Sequence, residues 1–306
     1  MSHNHFDYII CGGGAAGLLL AYRLCKDPFF KNHSLLLIEK DLKNTNDRTW
    51  CFWESRKGDL EAIVHKKWDR AFFGAADFAL EFPLAPFQYK MIRSIDFYRS
   101  MKKNLKEFPQ LTQIKEKVSQ INKNEVTTEV QTYYGNYIFS SIYNPKALYQ
   151  QKKYPVLLQH FVGQIIETQK PCFDSETLEF MNFNVPQKGN TRFMYMLPLG
   201  PKKALLEYTL FSSELLERKV YVDAISDFLK NYPTGGYEVL EEEEGKIPMT
   251  CYRFDLKNSP TLLHIGTAGG WTKPSTGYTF QRINKKTKEL VDFLKQNKPL
   301  HKFGKR

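Results

Sequence analysis

No stretch of the 306-residue sequence approaches the roughly 18 consecutive apolar residues that a membrane-spanning helix needs. The opening residues, MSHNHFDYIICGGG, lack the basic segment and long apolar core of a secretory leader. Cysteine is scarce: five residues, an odd number with no Cys-x-x-Cys pair, speak against a disulfide framework and against a structural zinc site. The seven histidines show no HxxxH or HExxH spacing, so no metal is expected. Internal repeats and low-complexity tracts are also missing, which excludes solenoids and fibrous chains. These absences lead to the expectation of a globular protein in a reducing, cytoplasmic setting.

What is abundant is positive charge and aromatic surface. Lysine and arginine outnumber aspartate and glutamate by 44 to 33, a net charge of +11, and aromatic residues make up 14%. That balance suits an acidic partner: nucleic acid, anionic lipid or a phosphorylated cofactor. The basic residues are scattered along the chain rather than gathered in one arm, as on a solvated surface, and no nucleic-acid partner is expected.

The first forty residues read as one βαβ unit. Phe6–Cys11 is a short apolar strand, Ala15–Leu24 a helix, and Ser34–Ile38 a second buried strand closed by Glu39. A helix over Asp96–Glu107 and strands over Gln113–Ile121, Glu125–Thr132 and Asn136–Ile142 follow, with Gly135-Asn136 as a turn. From 146 to 250 glycine thins out and alternating runs such as RFMYMLPL and ALLEYTLF suggest a mixed sheet, with a helix over Glu214–Asn231. A last strand, Leu262–Ile265, leads through a glycine-rich loop into a basic helix, Thr276–Gln296. The expected division is residues 1–145 with 251–306 as a discontinuous nucleotide domain, and 146–250, with part of 66–90, as a substrate domain. The stretch 66–90 reads as a core hairpin or as a membrane-facing surface. Cys51 and Cys251 read as core residues.

Gly12-Gly13-Gly14-Ala15-Ala16-Gly17 matches GxGxxG between that first strand and helix. Gly12 permits the tight turn, Gly14 and Ala15 bring backbone close to a pyrophosphate, and Gly17 lets the helix pack on the strand. The helix N-terminus supplies N–H groups and a partial positive charge. Glu39 ends the second strand, where a carboxylate accepts hydrogen bonds from a ribose. The interrupted domain favours FAD over NAD, and the second glycine loop, with Gly266, Gly269 and Gly270, is either a further flavin contact or a plain βα turn.

Several motifs in order then resemble the lycopene cyclases, bacterial β-cyclase branch. They are RTWCFWE (48–54), YKMIRSIDFY (89–98), IFSSIYNP (138–145), LLQHFVGQIIET (157–168), MYMLPLG (194–200), LLEYT (205–209), EEEEGKIPMT (241–250) and HIGTAGGWTKPSTGYTFQR (264–282). The resemblance implies an α/β fold like the flavin hydroxylases and geranylgeranyl reductases. That is an FAD-binding Rossmann-like domain with a mixed-sheet α+β substrate domain. It implies Arg48 as a further cofactor residue, reduced FAD as the active cofactor and NAD(P)H as its electron donor. The implied partners are lycopene and other carotenoids with ψ-ends, reached by peripheral contact with the inner face of the membrane.

The implied chemistry has no net redox change. A carboxylic acid protonates the terminal double bond of the ψ-end, the neighbouring double bond closes the ring, and proton loss gives the β-ring. Glu207 in LLEYT matches the family's acid–base glutamate; on its residues alone it reads rather as a surface glutamate on an alternating strand. The alternation puts Leu205, Glu207 and Thr209 on one strand face and Leu206, Tyr208 and Leu210 on the other. The run Glu241–Glu244 reads as a solvated loop or as a proton relay. The sequence departs from the family pattern at Tyr208, where a second acid is usual, at Met181-Asn182-Phe183-Asn184 in place of MDFR, and at Gln164 in place of tryptophan. It also ends sooner after GTAGG than family members commonly do. Two other readings stay open: a flavin oxidoreductase of a prenyl lipid, and a flavin- or carotenoid-binding remnant.

Overall fold

The computed structural model describes residues 4–304. The chain divides into two compact units, residues 1–45, 95–155 and 251–306 in the first and 46–94 with 156–250 in the second.

The first unit is built on a seven-stranded sheet. The central strand His5–Cys11 is flanked in parallel by Leu35–Ile38 and Thr132–Ser140, and Leu111–Ile114 and Leu262–His264 extend the parallel part. Glu125–Thr128 and Val118–Asn122 add an antiparallel edge. The parallel strands are apolar on both faces because helices cover them: Leu35–Ile38 is buried throughout. The helices Ala15–Lys26 and Phe280–Leu294 are tied by Arg23, which donates to the Asn284 carbonyl at 2.8 Å and to Thr287 Oγ1. The expected turn at Gly135-Asn136 is instead the interior of the strand Thr132–Ser140. The chain reverses earlier, over Glu129–Gln131, where the Thr128 hydroxyl accepts from the amides of Val130 and Gln131, both at 3.1 Å.

The second unit has a seven-stranded sheet in the order Tyr237–Met249, Leu157–Thr168, Lys203–Ser212, Thr191–Pro198, Thr177–Asn182, Arg70–Ala75, Phe78–Pro83. One face packs on the helix Arg218–Leu229 through Leu206, Tyr208, Leu210, Met194 and Ile225. The other packs through Leu205, Phe193, Tyr195 and Ile165 on a three-stranded sheet of Thr49–Glu54, Gln88–Arg93 and Lys66–Trp68. Residues 46–94 therefore belong largely with the second unit, more of the chain than the 66–90 piece expected there. The reason is a distant pairing, the parallel ladder of Arg70–Ala75 on Thr177–Asn182. Only Arg70–Ala75 and Phe78–Pro83 form the hairpin read in 66–90. Cys251, expected in a core, is exposed. Among the described residues no helix is long and apolar enough to cross a membrane.

Candidate active site

In the first unit the glycine turn follows its strand and opens the helix as expected. Gly12 has φ +101°, a conformation open to glycine, and a Cβ on Gly17 would overlap the Gly12 carbonyl oxygen. Gly14 is different. It caps the helix with φ −79° and no atom lies within 4 Å of where its Cβ would sit. Neither backbone strain nor protein packing calls for glycine there. Ala15 is buried in the first turn, which carries no acidic residue to compete for that N-terminus. Glu39 accepts from the Gly13 amide and, at 2.9 Å, from Asp41, so its carboxylate is held beside the turn.

The second glycine loop lies against the first. A Cβ on Gly266, which has φ +62°, would come 3.0 Å from Ala16 Cβ in the first helical turn. The amides of Gly269 and Gly270 bond within the loop, to the carbonyls of Ile265 (3.2 Å) and Thr267 (3.1 Å), and so shape it. Arg48 belongs to the second unit, where its guanidinium donates to the Asp47 and Glu244 carbonyls at 2.7 and 3.1 Å. Among the described residues no cluster of histidine, cysteine and carboxylate side chains is arranged to hold a metal.

Glu207 is buried, 8% exposed, in the middle of the strand Lys203–Ser212. It lies on the face lined by Leu205 and Tyr195, opposite Leu206 and Tyr208, as the alternation requires. Tyr208, at the place of the family's second acid, points to the helix side and leaves the Glu207 face untouched. Around that face stand aromatic rings. Trp53 is 4.7 Å from Tyr89 and 5.3 Å from Phe180, centroid to centroid, and Tyr195 donates its hydroxyl to Tyr89 at 2.8 Å. Burial raises the Glu207 pKa well above the ordinary carboxyl value, and the charge and carboxyl contact of Glu243 raise it further.

Glu243 was not singled out by sequence. The run Glu241–Glu244 is neither a loop nor uniformly solvated; it lies in the strand Tyr237–Met249, and its members point to different partners. Glu241 receives Arg93 at 3.0 Å, Glu242 receives Gln164 at 2.8 Å and also Arg218, and Glu243 Oε2 receives Thr49 Oγ1 at 2.9 Å. Cys51 is a further neighbour: burial raises its thiol pKa, and the charges of Glu207 and Glu243 add to that. The sequence signal that could have found it is Gly163, an isolated glycine inside an apolar strand, a pattern that marks a close approach.

The family model for lycopene cyclase protein matches residues 7–303. This chain belongs to the lycopene cyclase family. A lycopene beta-cyclase of Pantoea ananas is 24% identical over 287 residues, 90% of this lycopene cyclase family member and 71% of that protein. A geranylgeranyl bacteriochlorophyll reductase-like protein of Thermoplasma acidophilum superposes over 97% of this chain and 81% of its own, with a TM-score of 0.67 at 13% identity. A flavin-dependent halogenase of Xanthomonas campestris covers 94% of this chain and 70% of its own, with a TM-score of 0.68 at 10% identity. The fold is therefore the expected α/β fold of the flavin hydroxylase and geranylgeranyl reductase type.

Proposed function

We propose that this chain is a lycopene β-cyclase that converts the ψ-ends of lycopene to β-rings, through γ-carotene to β-carotene. The observation that carries the reading is Glu207: in a lycopene cyclase family chain, a buried carboxyl on an aromatic face, its pKa raised by burial, is suited to hold and deliver a proton.

The cofactor that fits the first unit is FAD. Gly12, Gly14, Ala15 and Gly17 shape the turn for a pyrophosphate, Glu39 is placed to accept from a ribose, and Gly266 closes against Ala16, with Gly269 and Gly270 shaping its loop. Arg48 is assigned to the same cofactor on family resemblance. When bound, reduced FAD supplies negative charge that stabilises a carbocation, with NAD(P)H as its reductant.

The ψ-end carries no polar group, so the protein acts on it by proton delivery and by its surroundings rather than by substrate hydrogen bonds. Glu207 donates its proton to the terminal double bond. The neighbouring double bond attacks the resulting cation, and a ring proton leaves to a carboxylate, so one proton enters and one departs. Trp53, Tyr89, Phe180 and Tyr195 pack in one cluster on the Glu207 side of the sheet and would exclude water there.

A C40 hydrocarbon reaches a protein from a bilayer, and the outer hairpin with the turn after it supports a peripheral contact: Phe78, Leu80 and, in the turn, Phe87 are 52%, 46% and 47% exposed.

Production of γ- and β-carotene in bacterial cells that accumulate lycopene tests the reading. A flavin oxidoreductase of a prenyl lipid would instead consume NAD(P)H in proportion to product, whereas a cyclase needs it only to reduce flavin.

A further inference from the structure

The side chains of Glu207 and Glu243 come from strands that do not pair with each other. Between them runs Leu157–Thr168, in which Gly163 is opposite Glu207 on one side and opposite Glu243 on the other. A Cβ at Gly163 would come 2.9 Å from Glu207 Cγ and 3.3 Å from Glu243 Cγ. Any other residue there would fill the space through which the two carboxyl groups meet.

The surroundings decide the charge of the pair. Glu243 Oε2 takes the Thr49 hydroxyl, while its Oε1 is buried with no other donor. Around the pair, Thr49–Glu54 contributes Cys51, Thr191–Pro198 contributes Tyr195, and Gln88–Arg93 contributes Tyr89 bonded to Tyr195. Of the neighbouring cations, Arg93 donates one guanidinium N–H to Glu241 and keeps its Nε buried without a partner, Arg48 bonds the Glu244 carbonyl and Arg218 bonds Glu242; none is ion-paired to Glu207 or Glu243 among the described residues. Two carboxyl groups in contact, without a cation between them, hold one proton. Burial, and then the neighbouring Glu243, raise the Glu207 pKa, so the proton rests on Glu207.

We propose that Glu243 is a positioning residue for the cyclisation proton, sharing it with Glu207 across the gap at Gly163, keeping Glu207 in its acid form and drawing the proton back when the ring closes. The proposal rests on the reading of Glu207 as the acid. The steps balance. The Glu207 O–H bond breaks and a C–H bond forms at the terminal alkene. The next alkene's π pair then forms the ring C–C bond, and a ring C–H pair becomes the new double bond as its proton returns to the carboxyl pair. While the cation exists, two carboxylates face it; once it is neutralised they hold one proton again.

The test is the pH dependence of cyclisation by the FAD-loaded enzyme on lycopene in phospholipid vesicles, together with the infrared band of the neutral Glu207 carboxyl. Glu243→Gln removes the like charge. The basic limb of its pH profile is expected to move to lower pH by about one unit or more, with the neutral-carboxyl band weakened at pH 7. Gly163→Ala keeps both acids but wedges them apart, and shifts the limb the same way if Glu243→Gln does not fold. An unchanged limb and band in a folded variant overturn the pair while Glu207→Gln is inactive. An active Glu207→Gln overturns the underlying reading of Glu207 instead.

Discussion

Glu207 and Glu243 meet across Gly163, one residue from each strand flanking Leu157–Thr168. Burial of Glu207, with Glu243 beside it, opposes stability. Glu207 keeps its proton in the folded chain at pH values where the unfolded chain has lost it, so stability falls as pH rises above the ordinary carboxyl pKa toward the raised folded value. Glu207→Gln is neutral at every pH. It should melt a few degrees above the wild type at pH 7–8 and lose that advantage near pH 4, measured by calorimetry.

Gly14 and Gly17 separate binding from folding. A Cβ at Gly14 meets no protein atom within 4 Å, so Gly14→Val should lower the melting temperature without flavin only slightly while flavin absorbance in the purified protein is lost. Gly17→Ala drives a methyl into the Gly12 carbonyl and should lower stability by about 1–3 kcal/mol even without cofactor. A Gly14→Val protein that purifies yellow contradicts the assignment of the turn.

The fully buried Lys90 donates to Glu54 at 3.0 Å and to Glu61 at 2.5 Å, pinning the segment 55–64 to the strand Gln88–Arg93. Removing both carboxylates with Glu54→Gln and Glu61→Gln leaves a buried ammonium with the Arg56 carbonyl at 3.2 Å but no counter-charge, and should cost about 3–5 kcal/mol. Lys90→Met leaves two partly exposed carboxylates and should cost less. Urea denaturation of the two variants checks the order.

His160 lies between Ser212 Oγ (2.7 Å) and the Tyr221 hydroxyl (2.6 Å), which resembles a nucleophile–base pair. Yet Ser212 donates its hydrogen to the Glu214 carbonyl at 2.6 Å, and Tyr221 accepts from the Leu216 amide at 3.1 Å and donates to His160 Nδ1. The chain of bonds fastens the turn at 212–216 to the helix Arg218–Leu229. Burial lowers the His160 pKa, as do the charges of Arg192 and Lys246, against the Glu214 backbone contact. The unfolded chain therefore binds this proton first. The stability is complete above about pH 6.5 and falls below it by up to about 1.4 kcal/mol per pH unit. His160→Gln should remove that part of the acid dependence, seen by comparing melting temperatures at pH 5 and 7.

The outer hairpin gives a binding prediction. Phe78→Ser with Leu80→Ser should leave the fold intact and weaken sedimentation with anionic vesicles several-fold. High salt should weaken the wild type as well, since its +11 charge contributes.

The glycine turn, its strand and its helix were legible because each is a local pattern: an apolar run, a glycine fingerprint and a helical stripe. Glu207 was legible through the family motif LLEYT, and alternation along its strand added which residues share its face. Glu243 was not, since its partnership depends on the register of three strands drawn from residues 157–168, 203–212 and 237–249. The same holds for residues 46–94, whose place follows from a strand paired with one about a hundred residues away. Gly135 misled because glycine marks turns and also close approaches; here a Cβ would meet the Ile9 side chain at 2.9 Å.

The most direct measurement is carotenoid production by Glu207→Gln in lycopene-accumulating cells, with flavin content of the purified variant as the control. The account predicts lycopene alone, with β- and γ-carotene absent and FAD bound as in wild type. β-Carotene at near wild-type yield would contradict it, because the proton would then come from another group.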